Sequence, residues 1–272
     1  MFYFAYEGNK RKEIKEIEED IIQMIDKGKI KKIVEPFCGS CALSVFLYNK
    51  FGDKLEYHLN DIDHFLMEFL TDIKNGNGDK YFQFINNECK NLTKDRFDEI
   101  INKGYPTNSI HYIFMKKVYG MYPGRFPKYR KYGNYKWEKY EKLDKFFQNK
   151  KTFLYTGNYC HIFKKFENDE ASLIFLDPPY FSSYNKQYIS FSKGHYDDND
   201  NSIDNTNMYI DIAELFQKKA KICAILNSVG ILKYIYNDFY KRDFDKKYSI
   251  AKKLKTKGWT KTKTQHSIFS NY

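Results

Sequence analysis

No apolar run in the 272-residue chain approaches the roughly 20 residues of a membrane span, and its N-terminus lacks an export-signal pattern. A soluble, intracellular protein is expected. Cysteine is scarce: Cys38, Cys41, Cys89, Cys160 and Cys223 are odd in number and scattered, which reads as reduced thiols rather than a disulfide framework. No second His/Cys pair stands at ligand spacing from Cys38 and Cys41, and the six histidines are dispersed, which argues against a zinc site; no metal is expected. Internal repeats are absent. Acidic residues are outnumbered, 35 against 46 Lys and Arg, for a formal charge of +11. The surplus is uneven. Residues 112–145 carry ten basic residues against three acids, and residues 241–263 carry ten against two. Basic clusters are usually solvated faces, but two of this density put a polyanion first among partner classes.

Hydrophobic residues make up 42% and aromatics 19%, enough for a folded core in one domain or in one carrying a large insertion. Ile14, Ile17, Ile21 and Ile25 recur at helical spacing within 12–27, and Gly28 ends that helix. Lys31 to Phe37 reads as a strand, followed by Cys38-Gly39-Ser40, a helix from Cys41 to Asn49, and a strand from Leu55 that ends in Asn60-Asp61. This is the β–loop–α–β start of a nucleotide-binding half. Gly39 lets backbone approach a ligand, and Asp61, 22 positions later, suits ribose hydroxyls. Residues 63–150 read as helical, with Thr93 and Asn108 as N-caps. Strands return at Thr152–Thr156 and Ala171–Leu176, then a helix from Met208, a strand at Ile222–Leu226, a helix over 231–240, and a C-terminal segment from His266 expected to form an edge strand.

The most informative stretch is Asp177-Pro178-Pro179-Tyr180. It follows Ala171-Ser172-Leu173-Ile174-Phe175-Leu176, a continuous apolar run suited to a buried parallel strand. The carboxyl end of such a strand is where α/β folds bind ligands. The paired prolines stiffen the turn. It offers a carboxylate, proline carbonyls and an aromatic ring, which suit a planar amino group and its ring. The plain alternative is an Asp-capped, Pro-rich turn. From Tyr119 to Tyr135, basic and aromatic residues interleave with Gly and Pro, favouring a hairpin or long loop over a helix. Arg and Lys there can meet phosphates or guanine edges while aromatics wedge or stack. The plain alternative is a Tyr-rich loop packed on its own helices.

These pieces, in this order, resemble the Dam-type DNA adenine methyltransferases, especially compact phage-encoded ones, over nearly the whole chain. Tyr6-Glu7-Gly8-Asn9-Lys10 resembles the family's cofactor loop, Glu35-Pro36-Phe37-Cys38-Gly39 its glycine motif, and Asn60-Asp61 its acidic motif. Tyr119–Tyr135 falls at its DNA-reading hairpin, Asp177–Tyr180 matches its catalytic tetrapeptide, and Ser270-Asn271-Tyr272 is similar to its ending. The resemblance implies a Rossmann-like α/β fold for S-adenosylmethionine, formed by residues 1–64 and 151–272, with an inserted helical target-recognition domain at 65–150. It implies cofactor contacts from Tyr6, Gly8, Lys10, Glu35, Phe37, Gly39, Asp61, Asn158, Tyr159 and Asp177. The catalytic set is Asp177, Pro178, Pro179 and Tyr180. DNA contacts fall to Arg125, Lys128, Arg130, Tyr132, Asn134 and Tyr135. The implied reaction is methylation of the N6 amine of a flipped adenine in double-stranded DNA, by a monomer or weak dimer in the cytoplasm of a bacterial or virus-infected cell. A restriction endonuclease partner is not determined by the sequence.

Two departures from the family pattern stand out. Cys41 replaces a usual second glycine. Lys128, Arg130 and Lys136 occupy the positions of Arg, Asn and Asn in the hairpin pattern, which changes the base edge read there. Rival readings are a thiol–disulfide oxidoreductase built on Cys38 and Cys41, an inactive DNA-binding relative, and an RNA adenine methyltransferase.

Overall fold

Apolar spacing and strand runs resolve into an α/β architecture in the computed structural model, which describes residues 10, 13–90, 92–96, 99, 108–119, 141–179, 206–254 and 258–272. Strands β1 (Lys32–Glu35), β2 (Glu56–Asp61), β3 (Thr152–Thr156), β4 (Ser172–Leu176), β5 (Lys221–Asn227), β6 (Tyr240–Leu254) and β7 (Gly258–Ser270) form a seven-stranded sheet ordered β3-β2-β1-β4-β5-β7-β6. The β1–β4, β2–β3 and β4–β5 pairs are parallel, and β7 runs antiparallel to both β5 and β6. This is the Rossmann-like class expected from the sequence. The described residues divide into two compact units, one within 38–159 together with Lys10, the other of 13–37, 160–179 and 206–272.

In the second unit the four isoleucines do what their spacing demands. Helix α1 (Glu18–Asp26) and the short turn before it bury Ile14, Ile17, Ile21 and Ile25. Each contributes up to about 1.5–3 kcal/mol of transfer free energy. Every residue of β4 is buried, as a strand covered on both faces must be. Around β5, the rings of Phe216, Phe239, Tyr236 and Phe269 pack at centroid spacings of 4.7 to 5.6 Å. The start of β5 is held by Asn271. Its Oδ1 accepts from Ile222 N at 2.8 Å, and its amide donates to the carbonyls of Ala220 (2.9 Å) and Phe216 (3.3 Å). Phe216 ends a helix of residues Thr206–Phe216.

One expectation is corrected here. The C-terminal segment is not an edge strand: β7 lies between β5 and β6, and β6 is the edge. The sequence of β6, Tyr-Lys-Arg-Asp-Phe-Asp-Lys-Lys-Tyr-Ser-Ile-Ala-Lys-Lys-Leu, shows no clean alternation, so its strand character was hidden. An edge strand has one neighbour and tolerates such charge. The helix expected over 231–240 ends at Ile235, and Tyr240 already belongs to β6.

In the first unit, helices α2 (Ala42–Phe51), α3 (His64–Lys74), α4 (Asp79–Lys90), α5 (Ser109–Tyr119) and α6 (Glu141–Gln148) accompany β2 and β3. Among the described residues of 63–150 there is no strand, as the sequence led one to expect. Both proposed caps are made: Thr93 Oγ1 accepts from Arg96 N at 3.2 Å, and Asn108 Oδ1 accepts from His111 N at 2.9 Å. Helix α3 buries Leu66, Met67, Phe69, Leu70 and Ile73. Its last residue, Lys74, donates to the carbonyls of Phe147, Asn149 and Thr152 at 3.4, 3.1 and 2.7 Å, which ties the end of α6 to the start of β3. Burial lowers the Lys74 pKa. The hairpin expected at 119–135 lies outside the described residues from 120 onward.

Candidate active site

The glycine loop and the acid at the tip of β2 meet directly. Gly39 takes φ +44°, in the left-handed region that glycine adopts without strain, and its N–H donates to Asp61 Oδ2 at 2.9 Å. Asp61 Oδ1 accepts from Asp63 N at 3.0 Å. Cys38 N bonds the Asn60 carbonyl at 2.8 Å. On the other side Asn60 Nδ2 donates to the Gly157 carbonyl at 3.0 Å, and Gly157 N bonds the Asp61 carbonyl at the same distance. Gly157, at φ +140°, begins the loop through exposed Asn158 to half-buried Tyr159, the first residue of helix α7 (Tyr159–Phe166). Gly39, Asp61 and the Asn158–Tyr159 loop are therefore brought together around the end of β2.

Asp61 is electrostatically unusual. Burial raises its pKa first and the neighbouring Asp63 carboxylate second, while the N–H groups of Asp63, Gly39 and Ile62 pull it down; the balance stands at about 6. A carboxylate has about four lone-pair sites, so capacity remains for hydroxyl donors. Cys41, at φ +51°, is the one non-glycine residue of positive φ among the described residues, where the family pattern has its second glycine. An L-residue there costs about 1–2 kcal/mol. Cys38 and Cys41 are buried, at 4% and 0% exposure, and not joined in a disulfide. The Cys38 thiol lies 3.9 Å from Met67 Sδ. Both thiols pack as small apolar groups, and the oxidoreductase reading lacks an accessible nucleophile.

In the second unit β4 delivers Asp177, half-buried, then buried Pro178 and half-buried Pro179. The Pro179 carbonyl accepts from Tyr209 Oη at 2.9 Å, and the Tyr209 carbonyl accepts from Tyr236 Oη at 2.6 Å. Tyr209 is 2% exposed on the Thr206–Phe216 helix, here α8. The bond to Tyr209 tethers the second proline carbonyl of the turn that Asp177 opens. Glu35, ending β1, is buried, and Phe37 sets its ring edge-on to Phe163 at 6.5 Å. Lys10 is buried at 3% exposure. Tyr6, Gly8, Tyr180, Arg125, Lys128, Arg130, Tyr132, Asn134 and Tyr135 lie outside the described residues.

The sequence reading missed two positioning tyrosines. Tyr209 stands one residue into an ordinary helical run, and nothing but its apolar spacing marks it. Tyr112, on α5, donates to Asp63 Oδ2, while Asp63 Oδ1 caps α3 through Leu66 N at 3.1 Å. Asp63 thus connects the acid at the tip of β2 to the helix that leads into residues 120–140. An Asp two positions beyond a strand-end acid, before a helical run, was the available signal.

A Rossmann-like sheet with a glycine turn bonded to an acid at the end of the second strand is the α/β class that binds nucleotide-type cofactors. Residues 6–250 match the model of the D12 class N6 adenine-specific DNA methyltransferases, and the chain belongs to that family. The type II methyltransferase M.CviBI of Paramecium bursaria Chlorella virus NC1A is similar, 21% identical over 278 residues that cover 98% of each chain. The protein is thus a DNA adenine-N6 methyltransferase, and its family implies S-adenosylmethionine as methyl donor. No helix among the described residues is long and apolar enough to cross a membrane.

Proposed function

We propose that the protein is a site-specific methyltransferase that acts on a flipped adenine of duplex DNA, with Asp61 as a donor-binding residue and Asp177 as the residue that accepts from the target amine. The observation that carries the reading is the pair of hydrogen bonds that fix Asp61 between Gly39 and Asp63 while leaving its carboxylate acceptor capacity. Those residues fit the donor. Asp61 takes the ribose hydroxyls, the Gly39 backbone admits close approach, and Asn158 with Tyr159 borders the adenine. Tyr6, Gly8, Lys10, Glu35 and Phe37 complete the set by family likeness. The bound cofactor supplies an activated methyl group.

The remaining chemistry belongs to the chain. Adenine's amino nitrogen shares its lone pair with the ring and is a poor nucleophile. Asp177 and the Pro178 carbonyl each accept one N–H, which draws the nitrogen toward tetrahedral geometry and fixes where its lone pair points. Flipping the base costs a few kcal/mol, and stacking on Tyr180 returns about 1–3 kcal/mol. Residues 65–150 serve as the target-recognition domain, and its segment 119–135 reads the duplex through Arg125, Lys128, Arg130, Tyr132, Asn134 and Tyr135. Lys and Arg in place of the family's amides there select a base edge different from the family's usual one.

Labelled methyl incorporation into DNA, followed by sequencing for modified adenines, tests the assignment and gives the recognition site. Asp177→Ala should lose at least about 10²–10³ in kcat while cofactor binding stays measurable. Full activity in that variant rules the mechanism out.

A further inference from the structure

Strands β6 and β7 stay paired from Tyr240 and Phe269 out to Leu254 and Gly258, but β5 accompanies β7 only from Ser270 to His266. Past the bond from Ser228 N to the Gln265 carbonyl at 2.9 Å, the two strands continue with no third strand beside them among the described residues. Register fixes their direction. Cys223 pairs with Ser270 and Asn227 with His266, so descending numbers in β7 advance beyond the carboxyl end of β5. Strand β4 is parallel to β5 with Leu176 opposite Ala224, which places Asp177 at that same edge. From Gln265 to Gly258 the ribbon extends roughly 25 Å past the sheet at ~3.3 Å per residue.

Its composition is one-sided. Between 246 and 264 the sequence has eight lysines and no Asp, Glu, Arg, Asn or Gln. In the strand register Lys247 is the partner of Lys263. A two-stranded ribbon without a further layer is marginal in water, and among the described residues no third strand accompanies this one. A register shift between Lys247 and Ala251 sets four residue steps of β6 against two of β7, a bulge that adds twist. Lysine is also a usual guard of exposed strand edges against aggregation. Six of these lysines belong to the two paired strands, and a polyanion is the partner that such a charge favours.

We propose that the β6–β7 ribbon is a second DNA-binding element, distinct from segment 119–135, that lies along the sugar-phosphate backbone beside the target base. This rests on the proposed function of the Asp177 turn. The ribbon's reach matches roughly seven base steps at 3.4 Å along a strand. Lysine is a point charge, and the ribbon lacks the Arg, Asn and Gln that read base edges in bidentate fashion. It therefore adds affinity and register without sequence choice.

The test compares wild type with two quadruple variants, K252Q/K253Q/K261Q/K263Q and the corresponding four Lys→Glu changes. Binding to a random-sequence 40-base-pair duplex is measured against salt, together with methylation kinetics and cofactor affinity. The Gln set should flatten the slope of log Kd against log salt by about two to four and raise KM for DNA at least tenfold at physiological salt, with cofactor affinity and preference among DNA sequences retained. The Glu set should weaken binding further. If both sets bind and methylate like wild type, the lysines only guard edges and the inference is overturned. Loss of the wild-type sequence preference in both sets overturns the backbone role. Should the Glu set not fold, the Gln set decides alone. A wild-type protein that methylates no DNA sinks the functional reading of Asp177, while the salt slopes still report on the ribbon.

Discussion

Lowering the pH from 7.5 to 5 should weaken donor binding about tenfold, through Asp61. The carboxyl is pushed up to about 6, chiefly by burial and then by Asp63, so it is ionised at pH 7.5 and mostly protonated at pH 5. Protonation removes an acceptor from the ribose hydroxyls. If the bound complex keeps Asp61 ionised below pH 5, linkage gives a factor of about ten across this window. The same group acts on folding with the opposite sign. Its folded pKa lies above the unfolded value near 4, so the folded protein holds a proton that the unfolded chain has released. Without ligand, its contribution to stability rises by about 1.4 kcal/mol from pH 7.5 to pH 5, toward about 3 kcal/mol at full protonation. Asp169 and Asp243 do not blur the measurement: Lys32 and Lys233, respectively, help hold their pKa values below the usual range, so their contribution is lost only in more acid solution. Calorimetric titration with S-adenosylmethionine at pH 5 to 7.5, with thermal melts of the ligand-free protein, reads both effects. Asp61→Asn should flatten both profiles. A wild-type affinity that does not change with pH, or an Asn variant with the wild-type profile, refutes the assignment of Asp61 to the donor.

Three further outcomes follow from named contacts. Tyr209→Phe removes the hydrogen bond to the Pro179 carbonyl; it should cost about 1 kcal/mol in a denaturant melt and lower kcat more than it raises KM for DNA, and an unchanged kcat would show that the tether does not position the turn. Cys41→Gly relieves a left-handed residue but loses a buried thiol, so its stability should stay within about 1 kcal/mol of wild type, whereas Cys41→Val, β-branched at positive φ, should lose about 2 kcal/mol or more; equal melts for the two variants would deny the backbone argument. Asn271→Ala strips three hydrogen bonds from the start of β5 and should destabilise by about 2–3 kcal/mol with donor affinity intact, and a melt unchanged from wild type would count against that clamp.

Local chemistry was legible in the sequence wherever neighbours along the chain decide it. The isoleucine period specified the buried face of α1, the apolar run specified β4, and Thr93 and Asn108 announced their helices because a cap bonds an N–H three residues away. The offset between Gly39 and Asp61 marked both as candidates for one ligand, because a β–loop–α–β unit returns the second strand beside the first; their direct hydrogen bond came from the structure. Strand order is another matter. Whether β7 or β6 takes the edge depends on pairing between segments, and a charged strand such as β6 carries no periodic mark of it. Likewise Tyr209 on Pro179 and Tyr112 on Asp63 join residues 30 and 49 positions apart. The pKa of Asp61 is set by burial and by Asp63, and only the folded chain supplies the burial. The amino-acid sequence by itself determined which chemical groups are present and what their near neighbours do. Tertiary structure alone decided which groups lose water together, and that desolvation sets a particular tyrosine on a proline carbonyl and raises the pKa of a particular carboxylate.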